Sequence, residues 1–136
     1  MDIEGGCYCG AVRYKASGDM MFTGQCHCRE CQYLTGGQPN IVVGMPEGGF
    51  SYTKGAAKGF SRKDLPNPVT REFCGECGTQ LLTKSPGLPG SVLIKVGTFD
   101  EPTLYEGPQM VIFTIDKQPF HHIPEGVPTF ERYPGS

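Results

Sequence analysis

The sequence predicts a mainly β fold: a small single domain of short antiparallel strands, stapled by zinc and carrying one short helix. Three observations predict it. Twenty Gly and 12 Pro in 136 residues cut the chain into short runs. Those runs are rich in β-branched and aromatic residues, which suit a pleated, half-buried surface. Seven cysteines stand in three tight clusters: Cys7-Tyr8-Cys9, Cys26-His27-Cys28-Arg29-Glu30-Cys31 and Cys74-Gly75-Glu76-Cys77. One domain, residues 1–136, accounts for the whole length. Only 38 % of its residues are hydrophobic, so apolar burial leaves little margin over conformational entropy and metal staples would help.

Taken in order, residues 11–16 alternate as Ala-Val-Arg-Tyr-Lys-Ala, placing Val12 and Tyr14 on one face of a strand. Residues 41–43, 50–52, 80–82, 92–96 and 111–115 are further strands. Pro46-Glu47-Gly48-Gly49, Pro86-Gly87 and Pro89-Gly90 mark turns between them. The only helix starts near Arg29 and stops at Gly36-Gly37, about two turns. The proline-rich residues 120–136 wrap irregularly over the surface.

The formal net charge is −2, and no basic face for nucleic acid is evident. Lys54, Lys58, Arg62 and Lys63 are diluted by glycines and followed by Asp64, as in a solvated loop. No run approaches the roughly 20 apolar residues of a membrane span. The first residues, Met1-Asp2-Ile3-Glu4-Gly5, lack the basic and apolar regions of a signal peptide. A reducing cytoplasm is therefore expected, where clustered thiols hold metal rather than pair as disulfides.

An odd number of thiols cannot all pair within one chain. A division into four and three has chemical meaning, because four thiolates close a tetrahedral structural site and three leave one position for water or substrate. Cys7-x-Cys9 and Cys74-x-x-Cys77-Gly78 each supply two soft ligands, with glycines beside the sulfurs. Cys26-x-Cys28-x-x-Cys31 offers three ligands within one short segment. Its fourth position is either open or capped by another side chain. If open, a sulfur-rich site suits an incoming thiol better than hydrolysis.

His27 lies between two candidate ligands and is expected to point away from them, behind the site or into solvent, with a ligand role as the alternative. His121 and His122 are expected on a surface loop, with a cap on the three-thiol site as the alternative. Glu30 and Glu76 are candidate bases or merely solvated acids. Arg71 is a candidate partner for a substrate carboxylate or half of a surface ion pair.

Four segments carry a resemblance. They are residues 6–14, Gly-Cys-Tyr-Cys-Gly-Ala-Val-Arg-Tyr; the Cys26–Cys31 cluster running to Thr35-Gly36-Gly37; and Arg71-Glu72-Phe73-Cys74-Gly75-Glu76-Cys77-Gly78-Thr79 with Val96-Gly97-Thr98-Phe99-Asp100. This order of motifs resembles the glutathione-dependent formaldehyde-activating enzyme family, which includes centromere protein V. The resemblance implies a zinc-bearing β fold shared with a small nucleotide-exchange factor (Mss-four-like). It implies two Zn²⁺ per chain: a structural ion on Cys7, Cys9, Cys74 and Cys77, and a catalytic ion on Cys26, Cys28 and Cys31. The implied partners are glutathione and formaldehyde, and the implied activity is that of a carbon–sulfur lyase related to S-(hydroxymethyl)glutathione synthase. A non-catalytic zinc module for a protein partner or for metal buffering is the alternative. Three positions depart from the family pattern. Val111 follows Pro108-Gln109-Met110 where a histidine is usual, Gln32 stands where a basic residue often follows the triplet, and Phe120 follows Pro119 where Trp is common.

Overall fold

The structure, a computed structural model, describes residues 1–135; Ser136, the end of the expected tail, lies outside the described residues. The strands in chain order are Asp2–Gly6 (β1), Arg13–Ser17 (β2), Phe22–Cys26 (β3), Asn40–Pro46 (β4), Phe50–Lys54 (β5), Lys58–Phe60 (β6), Thr70–Phe73 (β7), Gln80–Lys84 (β8), Ser91–Lys95 (β9) and Met110–Ile112 (β10). One helix, Arg29–Thr35 (α1), lies between β3 and β4. A three-stranded sheet has the order β1-β2-β5, and a seven-stranded sheet the order β10-β3-β4-β9-β8-β7-β6. Pairings are antiparallel except β10 on β3, which is parallel.

The two sheets pack face to face. Ile3, Tyr14 and Ala16 from the smaller sheet meet Val43, Met45, Leu82, Val92 and Ile94 from the larger, all fully or almost fully buried. Burial of each such side chain contributes about 1.5–3 kcal/mol. β1 passes close to its neighbours because Gly5 has no side chain; a Cβ there would lie 2.2 Å from the Thr98 carbonyl oxygen and 2.5 Å from the Tyr14 hydroxyl. That hydroxyl sits 2.7 Å from Thr98 Oγ1, which donates to the Lys95 carbonyl. Arg13 clamps Asp100 through both guanidinium nitrogens and holds its carboxyl below the usual range.

All six expected strands are present, with boundaries moved by a few residues. Residues 111–115 shorten to β10 because Phe113 takes a left-handed conformation (φ 57°) and Thr114–Asp116 turn as a 3-10 helix. β1, β3, β6 and β7 form from segments whose composition reads as loop. The helix ends where expected, with Gly36 at φ 77° bonding back to the Gln32 carbonyl. The segment after Ile112 does wrap irregularly, but it is tied to β10: Val111 donates to the Pro128 carbonyl and Phe130 to the Val111 carbonyl.

Burial pushes the Tyr14 hydroxyl up to about 12. Its stabilising contribution is complete below the unfolded-state pKa near 10 and is lost as pH rises through the folded-state value. Wild-type protein is expected to lose roughly 2–3 kcal/mol between pH 10 and 12 from this group. Tyr14→Phe should flatten that part of the stability profile, as read by urea melts at stepped pH.

Candidate metal centres and the adjoining cavity

The first cysteine pair follows β1 and the last pair follows β7, so the two pairs come from different sheets. Each sits in a knuckle turn ending in a glycine at φ 80°, Gly10 and Gly78. Backbone amides point at the sulfurs: Val12 N–H lies 3.2 Å from Cys7 Sγ, and Glu76 and Cys77 N–H lie 3.4 and 3.5 Å from Cys74 Sγ. Thr79 Oγ1 accepts from the Tyr8 amide at 3.1 Å and also lies 3.1 Å from Cys77 Sγ. It links the two knuckles. The four sulfurs all lie within 4.8 Å of one another. Cys7 and Cys74 are buried, whereas Cys9 and Cys77 face solvent.

Cys26 ends β3, Cys28 is the N-cap of α1, and Cys31 lies in its first turn. Their sulfurs also fall within 4.8 Å of one another. Cys28 Sγ accepts from the Cys31 amide at 3.4 Å, and Asn40 on β4 donates to Cys31 Sγ at 3.5 Å. Hydrogen bonds from Cys26 and Cys28, the nearby Lys95 charge and the Asn40 amide pull Cys31 down to about 3. Hydrogen bonding with Cys28 and Cys31, together with burial, pushes Cys26 up. Three thiols at this separation cannot all ionise unless a cation sits among them. The residues therefore fit a soft metal ion, as do those of the four-thiol group, where Thr79 draws Cys77 down to about 5.

His27 is fully buried, and its neighbour in space, His121, is buried too. This corrects the surface-loop expectation for His121; only His122 is exposed. The hydrogen bonds fix one proton arrangement. His121 Nε2–H donates to the Gly37 carbonyl at 2.7 Å, so His121 Nδ1 accepts from the Gln118 amide and from His27 Nδ1–H at 2.8 Å. His27 Nε2 then accepts from Gln25 at 3.0 Å. Burial drives His27 down to about 4, keeping it neutral. Gln32, also buried, donates to the carbonyls of His27 and Asp116. Thus neither His27 nor His121 caps the three-thiol group; both brace the turn that carries it. Among the described residues the group consists of Cys26, Cys28 and Cys31 alone.

These three cysteines lie in the wall of a cavity of about 190 Å³ on the outer face of the larger sheet. Register explains who lines it. Residues directly opposite in neighbouring strands share a face, so Arg71, Thr83 and Leu93 form one row, and Met110, Gly24 and Val42 another. Lys95 stands opposite Val42 on this same face. Its ammonium is buried, has no hydrogen-bond partner among the described residues, and is pushed down to about 8 by burial against the pull of Cys31. Nothing in the local sequence marks Lys95; a lysine in a strand otherwise reading Val-Leu-Ile was the available signal. Arg71, by contrast, lies where a substrate could reach it. It lines both this cavity and an adjoining one of about 130 Å³. Glu30, 4.0 Å from Arg71 and from Arg62, borders both as well. Glu76 is remote, beside the four-thiol knuckle.

Fold and site together define a small β protein with two thiol clusters suited to metal, one closed by four sulfurs and one of three sulfurs facing a cavity. The chain belongs to the glutathione-dependent formaldehyde-activating enzyme family, whose sequence profile matches residues 2–116. None of the curated proteins compared with it matches significantly. Among solved structures it is similar to the crystal structure of a Rhodobacter sphaeroides protein, with a TM-score of 0.62 and 17 % identity over 77 % of this chain and 96 % of that one. At that identity the likeness concerns the fold. No helix among the described residues is long and apolar enough to cross a membrane.

Cys74→Ser is expected to unfold the domain, because it removes a buried thiol of the four-sulfur cluster that links the sheets. Cys28→Ser should stay folded, since serine also caps a helix, and lose one equivalent of metal; melting with metal analysis distinguishes them. Lys95→Met should weaken metal retention by the three-thiol group about 10–100-fold and spare the four-thiol group, with partial rescue in Lys95→Arg, as read by chelator competition.

Proposed function

We propose that this protein joins a thiol to an aldehyde, making or breaking the carbon–sulfur bond of a hemithioacetal as a zinc-dependent carbon–sulfur lyase. Glutathione and formaldehyde are the pair its family implies. The observation that carries this reading is the position of Cys26, Cys28 and Cys31 in a cavity wall, with no fourth ligand in their group among the described residues. In this reading they hold the catalytic zinc, while Cys7, Cys9, Cys74 and Cys77 hold a structural one. A non-catalytic zinc module needs a saturated site, and among the described residues the three-sulfur group has no fourth ligand for it. Seven unpaired thiols suit a reducing cytoplasm and one metal-stapled domain over residues 1–136.

Bound at the three sulfurs, zinc supplies a Lewis acid that favours the thiolate of an incoming thiol. The protein's own groups supply the rest. Asn40 and the amide of Cys31 hold sulfur ligands in place, and the buried Lys95 ammonium offsets their negative charge. Arg71 matches a carboxylate of glutathione, and Glu30 its ammonium. The apolar wall beyond them keeps water from the reacting carbon. Thiolate attack forms the carbon–sulfur bond and opens the carbonyl π bond, and the oxygen takes up the proton that the thiol released.

Exchange NMR of glutathione with formaldehyde tests this reading against the spontaneous rate. Acceleration by wild type and none by Cys28→Ser is the expected outcome. No acceleration by protein confirmed to hold two zinc ions would overturn this substrate pair.

A further inference from the structure

Formaldehyde contributes one carbon, and the cavity beside the three sulfurs is far larger than that carbon needs. Its volume is about 190 Å³, and its walls include Phe22, Val42, Leu93, Met110, Ile112 and Phe113. A dry apolar cavity of about 150 Å³ admits benzene. The adjoining cavity differs in kind. Glu30, Arg62, Asn67 and Arg71 place charged and polar groups in its wall beside Phe60, Leu65 and Val69, so it is mixed where the first is mainly apolar. Two compartments thus meet at Arg71 and Glu30, one suited to a charged thiol and the other to a hydrocarbon arm, with the sulfurs bordering the apolar one.

Backbone register creates the space. Gly24 stands between Val42 and Met110 in the row across β4, β3 and β10. A Cβ at Gly24 would meet nothing within 4 Å, so the floor of the chamber is open where any other residue would fill it. Gly44 does the opposite. The Phe22 ring lies over it so closely that a Cβ would be 2.6 Å from two ring carbons. One glycine seats an aromatic wall and the other leaves room in front of it.

Building on the thiol–aldehyde reading above, we propose that the preferred electrophile is an apolar aldehyde of about six or seven carbons, aliphatic or aromatic, whose hydrocarbon arm fills this chamber. Its carbonyl carbon faces the sulfur cluster while a polar thiol of the glutathione type lies across Arg71 and Glu30. The product is the corresponding hemithioacetal: one carbon–sulfur bond forms, the carbonyl π bond opens, and the oxygen receives the proton lost by the thiol. No oxidant or reductant is needed. Each methylene buried in the chamber favours the larger aldehyde by about three- to fourfold.

The test is a rate series with zinc-loaded protein and glutathione, comparing formaldehyde, propanal, hexanal and benzaldehyde, each against its uncatalysed rate. The acceleration for hexanal or benzaldehyde is expected to exceed that for formaldehyde at least tenfold. Gly24→Val should reduce that ratio at least tenfold. Formaldehyde as the best substrate would overturn the chamber assignment and leave the thiol–aldehyde reading standing. Should no aldehyde react faster, the reading itself fails, and binding of the unreactive benzyl alcohol, followed by saturation-transfer NMR, judges the chamber separately. Binding to wild type and not to Gly24→Val supports the apolar chamber; no binding to either overturns it.

Discussion

Mutual repulsion among crowded thiolates is the constraint on which the rest of the structure depends. Four sulfurs from the ends of β1 and β7 lie within 4.8 Å of one another, and a cation held among them would turn that repulsion into a joint between the two sheets. Cys9 and Cys74 are 65 residues apart, so the joint closes a long loop that chain entropy otherwise opposes. Structural zinc contributes on the order of 10 kcal/mol in sites of this type, comparable with the whole stability of an ordinary small domain. The modest core between the sheets needs that support.

The larger sheet works on both faces. Alternation along β4 sends Val43 and Met45 into the core and Asn40 and Val42 to the cavity. β9 does likewise with Val92 and Ile94 against Leu93 and Lys95. A one-residue slip in either strand would exchange core and cavity residues. Core packing therefore fixes the register that places Lys95 and Asn40 near the three sulfurs. The turn bearing those sulfurs is braced from behind by the neutral His27–His121 pair and by Gln32, so the sheet and the tail hold it from opposite sides.

The two thiol clusters were legible because cysteine spacing is local. Cys-x-Cys and Cys-x-x-Cys report geometry formed within a single turn, and both groups assembled as their spacing implied. Strands with β-branched residues, such as β9, were equally plain. β1 and β3 were not, since Asp-Ile-Glu-Gly-Gly and Phe-Thr-Gly-Gln-Cys carry little strand propensity. Their glycines answer to neighbours far along the chain: Gly5 to Tyr14 and Thr98, Gly24 to the cavity. His121 was misplaced for the same reason, because the partner that buries it, His27, lies 94 residues away. Lys95 needed the register of three strands before its position had meaning. Gln32, one of the departures from the family pattern, proved to hold the His27 carbonyl and the turn at Asp116.

The joint is not equally protected on both sides. Cys7 and Cys74 are buried, but Cys9 and Cys77 are exposed, and solvent-facing thiolates are the ones that peroxides oxidise first. With an ion held at this cluster, loss of either sulfur would release it, so chemical damage at the surface would be transmitted directly to the fold. The lifetime of the protein is consequently tied to the redox balance around it.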